Sequence, residues 1–180
     1  MTNKFTVPDE KINITATINR TDGNIYAIKT VAIITTTSYL FTKYDNAEVV
    51  AKMFAAGKCA SSYGMTKVEC EAVNSLGTIF NGDTNLKSFN ELQYFIGLTS
   101  LGTGCFQYCS SLTSITLPNS ITSIGSACFY GCDKLASIVL PNTITSLGNN
   151  CFYGCSLTSI VLPNSITSMG FGCFQYCSSL

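Results

Sequence analysis

The C-terminal half of the sequence repeats itself at a nearly fixed period, and this period limits what the chain can fold into. Successive copies begin at Phe89, Leu112, Leu135 and Leu157, and Leu180 would open a fifth. A period of this size is typical of arrays in which each copy forms one coil and stacked coils bury a shared core. The repeat therefore predicts a short solenoid, and we call the four copies coil 1 to coil 4.

Each copy predicts the same order of backbone elements. The opening L-x-x-I-x-L-P predicts a short β-strand, with Leu112, Ile115 and Leu117 of coil 2 facing the core. The proline ends this strand because it lacks an N–H group. A second extended segment, I-T-S-I-G, follows with Ile121 and Ile124 pointing inward. The C-F-x-x-C corner closes the coil, and its phenylalanines are predicted to fill the interior: Phe106, Phe129, Phe152 and Phe174.

At these residues the sequence resembles the BspA-like leucine-rich repeat family. The shared pattern L-x-x-I-x-L-P-x-x-I-x-x-I-G-x-x-[AC]-F-x-x-C covers Phe89 to Leu180. The resemblance implies an α+β fold with a right-handed leucine-rich-repeat solenoid, in which each coil has a β-strand and a second extended segment. It also implies a non-catalytic module for protein interaction or adhesion.

The first half of the chain predicts a cap for the open end of the array. Strands are predicted over Lys11–Asn19 and Asn24–Thr36, on either side of the hairpin signal Asp22-Gly23. The predicted domains are an N-terminal hairpin segment over 1–44, a helical cap over 45–88 and the repeats over 89–180.

Two helices are predicted within the cap, over 46–56 and 66–75. Asp45 or Asn46 is placed to cap the first helix, and Gly57 to end it. Thr66 and Glu69 fit a capping box at the start of the second helix, and Gly77 is placed to end it.

The resemblance extends to about Asp45, where many BspA-like proteins carry a helix–loop–helix with a D-x-N-x-D-G calcium loop. Mapped here, the loop runs from Lys58 to Glu69, and Lys58, Ala60 and Ser62 stand at ligand positions. Calcium needs several oxygen ligands, and one glutamate does not supply them. We therefore predict a degenerate loop without metal.

Eight of the ten cysteines form C-x-x-x-C pairs, and these are Cys105/Cys109, Cys128/Cys132, Cys151/Cys155 and Cys173/Cys177. Stacking predicts two columns of cysteines along the array. Buried free thiols are the favoured interpretation, because thiols pack as small apolar groups. Disulfides between coils, and a zinc site, are the alternatives that remain open.

Composition argues against several classes of function. The chain has no histidine, which removes the commonest general base. From Phe89 onward the only charged residues are Glu91, Asp133 and Lys134, so no basic stripe for nucleic acid exists. No segment has the roughly 20 apolar residues of a membrane span. The sequence predicts no enzyme, no cofactor and no nucleic-acid partner.

The outward residues of the opening segments predict a binding face that is rich in hydroxyls and nearly neutral. Its candidate residues are Asn90, Glu91, Gln93, Thr113, Ser114, Thr116, Ser137, Val139, Thr158, Ser159 and Val161. The tyrosines of the C-F-x-x-C corners are a second candidate surface: Tyr108, Tyr130, Tyr153 and Tyr176.

Two functions remain open at this point. The first is a recognition or adhesion module whose partner is a host protein, a second copy of the chain or a glycan, and the resemblance implies a cell-surface or extracellular location. The second is a structural or assembly protein that associates through its last coil. Because the N-terminus shows no hydrophobic signal-peptide core, a virion-associated or cytoplasmic location is the alternative.

Overall fold

A computed structural model describes residues 14–21, 24–32, 39–42 and 45–180. The chain divides into two compact units, Met1–Thr37 and Ser38–Leu180.

The first unit contains a β-hairpin. Strand β1 (Ile14–Thr21) pairs antiparallel with β2 (Asn24–Ala32), and Thr21 lies opposite Asn24. The register shifts between Ile18 and Arg20, an irregularity that the sequence pattern did not indicate. The two strands lie where they were predicted, while residues 11–13, the turn and the end of the second predicted strand fall outside the described residues.

The first predicted helix is present as α1 (Ala47–Ala55). Asn46 caps it, because its side-chain oxygen accepts a hydrogen bond from the Val49 N–H at 3.4 Å. At the other end the Lys58 N–H donates to the Met53 carbonyl at 2.8 Å, and Gly57 takes a φ of +66°. One side of the helix packs into the core, where Val49, Val50 and Met53 are buried.

The second helix, α2 (Lys67–Ala72), begins with the predicted capping box of Thr66 and Glu69. It ends earlier than predicted, because Val73 takes an extended conformation and Gly77 lies beyond the helix. The physical reason is packing: Val73 and Leu76 are both buried in the core, and the extended backbone carries them there.

An antiparallel pair that was not predicted joins β3 (Tyr39–Thr42) to β4 (Gly64–Thr66). This pair shifts the first unit boundary from the predicted residue 44 to Thr37. The reason is that β3 hydrogen-bonds within the second unit.

The repeats form a parallel sheet with one two-residue strand per coil. In spatial order its strands are β10 (Ser168–Met169), β9 (Ser146–Leu147), β8 (Ser123–Ile124) and β6 (Ser100–Leu101). All four strands lie in the second extended segment of their coils. Ile121 and Ile124 point inward as predicted.

The strand predicted in every opening segment is present in only part of the array. β5 (Ser88–Phe89) pairs with β7 (Ser114–Ile115), but the described segments 135–140 and 157–162 contain no strand. The second segments pair in every coil, because glycines such as Gly148 and Gly170 let neighbouring backbones approach closely there. In coil 1 the predicted strand is replaced by a 3₁₀ helix over Asn90–Tyr94.

Stacked phenylalanine rings occupy the centre of the array. Neighbouring rings from Phe106 to Phe174 lie 5.3–5.5 Å apart and within 7° of parallel. Three of them are fully buried, and Phe174 in the last coil is half-buried. The apolar side chains of coil 4 are also more open than those of coils 2 and 3, with Leu162 41% and Met169 51% exposed.

Candidate interaction surfaces

The outward positions of three opening segments bring Thr116, Val139 and Val161 to one surface, which we call the valine face. Val139 and Val161 are 83% and 82% exposed. The equivalent position in coil 2 is the exposed Thr116. Side chains this exposed make little contact with the core. Packing within the array therefore does not explain why apolar residues lie at these positions.

Two grooves flank Val139. One has a volume of about 340 Å³ and is lined by Thr116, Leu117, Asn119 and Val139 among others. The other has a volume of about 360 Å³ and lies between the opening segments of coils 3 and 4, where Val139 and Val161 border it. The valine face is therefore a ridge of apolar side chains with a recess on each side of its central residue.

The backbone under this face lacks the ladder seen in the parallel sheet. Within the described repeats, no backbone hydrogen bond joins 137–140 to 159–162; the nearest is from the Thr158 N–H to the Ala136 carbonyl. On the sheet side, by contrast, the N–H groups of Thr145 and Gly148 both donate to coil 2 at 2.8 Å. The opening segments of coils 3 and 4 therefore keep backbone donors and acceptors that do not pair with each other.

Most of the other predicted site residues either form hydrogen bonds within the chain or line one of the two grooves. Asn90 donates to the Ser114 hydroxyl at 3.3 Å and accepts from the Thr116 hydroxyl at 3.2 Å. The Thr113 hydroxyl donates to the Lys87 carbonyl just before coil 1, and the Thr158 hydroxyl donates to the Ala136 carbonyl of coil 3. Gln93 lines the first groove, and Ser137 and Ser159 line the second.

Glu91 faces the helical region, where its carboxylate accepts a hydrogen bond from the Asn46 amide at 3.0 Å. The predicted strand placed Glu91 outward with the rest of the set. The 3₁₀ turn changes this, because Leu92 and Phe95 share its buried side.

A second surface is formed by the aromatic corners, where four rings make the tyrosine row: Tyr108, Tyr130, Tyr153 and Tyr176. The central pair, Tyr130 and Tyr153, is stacked with centroids 4.4 Å apart. Desolvation, followed by the nearby hydroxyls of Tyr130 and Tyr176, raises the pKa of Tyr153.

All ten cysteines are free thiols in the structure, and nine of them are buried. The second cysteine of each corner donates its S–H to a phenylalanine carbonyl: Cys109 to Phe80, Cys132 to Phe106, Cys155 to Phe129 and Cys177 to Phe152. Burial raises the pKa of Cys105 to about 12, so this thiol stays protonated near neutral pH.

The described part of the chain shows no group of three or more histidine, cysteine, aspartate or glutamate side chains placed to hold a metal ion. In the degenerate loop, Glu69 instead accepts hydrogen bonds from the Ala60 N–H at 2.7 Å and the Thr66 N–H at 2.8 Å. Burial alone would raise the pKa of the Glu69 carboxyl, but these hydrogen bonds outweigh it and lower that pKa.

One polar cluster was missed by sequence reasoning. Asp83 is buried and lies 3.3 Å from the Lys52 ammonium, and it accepts from the N–H groups of Asn85 and Leu86. Burial, followed by the charge of Asp83, raises the pKa of Glu48. The only local sign of this cluster in the sequence is the turn-forming Asn81-Gly82-Asp83. That turn does not indicate that Lys52 is the partner of Asp83.

The family model for the "BspA type leucine rich repeat region (6 copies)" matches residues 99–180. Residues 99–180 are a BspA-type leucine-rich repeat region. The match begins within coil 1 of this chain, after the 3₁₀ turn. It covers all four strands of the parallel sheet.

Among solved structures, this chain is similar to a leucine-rich repeat protein from Bacteroides ovatus, with 33% identity and a TM-score of 0.56. That alignment covers 60% of this chain and 28% of the other, so this chain spans about a quarter of that protein. A leucine-rich repeat protein of T. pallidum is 31% identical over 52% of this chain and 48% of its own, with a TM-score of 0.42. No match was found among curated proteins.

No helix in the described ranges is both long and apolar enough to cross a bilayer.

Proposed function

We propose that this chain is a non-catalytic protein-interaction module that binds its partner through the valine face. The observation that carries the proposal is the exposure of Val139 and Val161, at 83% and 82%, beside two recesses of about 340 and 360 Å³. Apolar ridges beside recesses are the usual geometry of an interface core, where anchoring side chains become fully desolvated. Leucine-rich repeat proteins generally mediate protein–protein interaction, which supports this proposal.

The expected partner is a protein segment with apolar, uncharged side chains. Neither recess is lined by a charged residue, so a charged side chain buried there would be left without a counter-ion. In this proposal the helices cap a short right-handed solenoid, and the module acts at the cell surface, where BspA-like proteins are often found.

The test uses peptides selected by display against the immobilised full chain. The double variant Val139→Lys/Val161→Lys is expected to bind the selected peptides with at least tenfold lower affinity. The reason is that each lysine places a charge where apolar contact is needed. Val68→Lys is the matched control, since Val68 is a 74% exposed valine on α2, outside the valine face. The proposal fails if peptide affinity is the same for the double variant and the control, while the fold of both is retained by circular dichroism.

A second candidate function is assembly through the apolar side of coil 4. It is favoured by the exposure of Leu162, Met169 and Leu180 and by the position of β10 at the edge of the sheet. Light scattering over a range of concentrations tests it. A monomer at every concentration excludes assembly, whereas oligomers that Met169→Lys abolishes support it.

A further inference from the structure

Two members of the tyrosine row hold a backbone conformation that tyrosine rarely adopts. Tyr108 and Tyr176 have φ values of +60° and +61°. The same corner position in coils 2 and 3 is Gly131 and Gly154, with φ values of +68° and +70°. The left-handed conformation is unfavourable for a residue with a side chain, because its Cβ crowds the following carbonyl oxygen. Glycine would remove that cost, so the two tyrosines are retained against a local preference.

The strain places both rings where they extend the stacked pair. The ring of Tyr108 lies 5.4 Å from that of Tyr130, and the ring of Tyr176 lies 4.9 Å from that of Tyr153. Tyr108 and Tyr176 are 52% and 67% exposed, so most of their surface is not used for packing. Strained backbone residues cluster at functional sites, where the surrounding structure maintains the strain.

The geometry of the row restricts the kind of ligand. With 4.4 Å between the centroids of Tyr130 and Tyr153, no side chain fits between these rings. The faces of the two central rings are turned toward each other and are not open to a ligand. A ligand must therefore lie across the ring edges and hydroxyl groups.

The charge of the surroundings restricts the ligand further. The four corner segments, 105–109, 128–132, 151–155 and 173–177, contain no charged residue. Their polar groups are phenol hydroxyls, which both donate and accept, and the amides of Gln107 and Gln175. These groups match a ligand that is neutral and carries hydroxyls of its own.

We propose that the tyrosine row is a binding platform for a neutral linear glycan lying along the array. Successive sugar rings of such a chain would each meet one corner, because a β-linked sugar residue is similar in length to the ring-to-ring spacing of 4.4–5.4 Å. Along the central pair, sugar hydroxyls pair with phenol hydroxyls at the ring edges, and at the two ends sugar C–H groups contact the exposed rings of Tyr108 and Tyr176. This site is separate from the valine face and does not depend on it.

The test compares the full chain with the variant Tyr108→Gly/Tyr176→Gly. The probes are a neutral β-glucan hexasaccharide and an N-acetylglucosamine hexamer. Binding is followed by tyrosine emission, which is accessible because the chain contains no tryptophan. We expect saturable binding of at least one probe to the natural chain and at least tenfold weaker binding to the variant. The melting temperature of the variant is expected to be unchanged or higher.

Three results would overturn the proposal. The first is that neither oligosaccharide binds at millimolar concentration. The second is that the variant binds as well as the natural chain. The third is a lower melting temperature of the variant, which would show that the rings serve the fold. As a matched control, Tyr63→Gly changes a tyrosine outside the repeats and is expected to leave glycan binding intact.

Discussion

At the scale of single residues, glycine decides where neighbouring coils come into contact. A Cβ atom at Gly148 would lie 2.3 Å from the Ser126 nitrogen, and one at Gly170 would lie 2.3 Å from the Asn149 nitrogen. These glycines follow β9 and β10, and their N–H groups donate to the preceding coil. The parallel sheet exists on this side of the array because nothing larger than hydrogen stands between the two backbones.

Gly148→Ala is therefore expected to lower the free energy of unfolding by about 3 kcal/mol, because the new methyl group forces two coils apart. Gly102 holds the equivalent position in coil 1, and a Cβ there would meet nothing within 4 Å. Gly102→Ala is expected to be neutral or slightly stabilising. Urea denaturation of both variants checks this, and equal effects would contradict the proposed role of Gly148.

Glu69 stabilises the degenerate loop because its carboxylate accepts hydrogen bonds from the Ala60 and Thr66 N–H groups. Because its pKa is lowered in the folded state, its contribution is fully present above the usual glutamate pKa of about 4.3. The contribution is lost as pH falls through the folded value. Glu69→Gln is expected to cost about 1 kcal/mol at pH 7 and progressively less below pH 4.

The measurement is urea denaturation of the natural chain and of Glu69→Gln between pH 7 and pH 3. Glu71→Gln is the control, since the Glu71 carboxylate forms an exposed ion pair with Lys67, and such pairs contribute little to stability. A difference between Glu69→Gln and the natural chain that stays constant with pH would show that the charge of Glu69 does not matter.

At the scale of elements, Asn46 connects α1 to the first coil. Its oxygen caps the helix, while its amide donates to the Ser88 carbonyl at 2.8 Å and to the Glu91 carboxylate at 3.0 Å. The Asn46 side chain thus pairs with a backbone N–H group at the start of α1 and with a backbone carbonyl of β5 at the same time.

Asn46→Ala is expected to cost about 2 kcal/mol, from the lost cap and the lost hydrogen bonds. Asn46→Asp keeps a cap but places a carboxylate against the Ser88 carbonyl and Glu91, so it is not expected to restore stability. Thermal unfolding of the two variants separates these roles. Full recovery by aspartate would mean that only the cap matters.

How much of each element the sequence could predict depends on where its partners lie. The caps of α1 and α2 are local, so spacing found the pair Thr66–Glu69 and narrowed the first cap to Asp45 or Asn46, of which Asn46 is the cap. The β3–β4 pair joins Tyr39 to Thr66, and no local pattern indicates a partner so distant. The opening strand was predicted for every coil but is present only as the β5–β7 pair, while the longer ladder lies in the second extended segments. Sequence could not separate the two, because both segments of each coil look extended.

The candidate site was predictable to the same degree. The repeat placed Thr116, Val139 and Val161 at equivalent outward positions. Their two recesses could not be predicted, since these depend on the missing ladder between 137–140 and 159–162. Tyr108 and Tyr176 have positive φ values. The only trace of this in the sequence is that coils 2 and 3 have glycine at the same position.

At the scale of the whole molecule, the array has one closely hydrogen-bonded side and one open side. The phenylalanine stack and the buried thiols fill the interior between them. The sheet side holds neighbouring coils through backbone hydrogen bonds. The opening segments of coils 3 and 4 lack a ladder between them, and they carry the exposed Val139 and Val161.

Hydrogen exchange of the intact chain, with and without a peptide selected against it, tests this account most directly. In the free chain we expect fast exchange at 137–140 and 159–162 and slow exchange at the N–H groups of Thr145 and Gly148, which donate to coil 2. Peptide binding should slow exchange at 137–140 and 159–162 and leave the tyrosine row unchanged. Slow exchange of these segments in the free chain, or protection by the peptide only outside them, would contradict the valine face as the site of recognition.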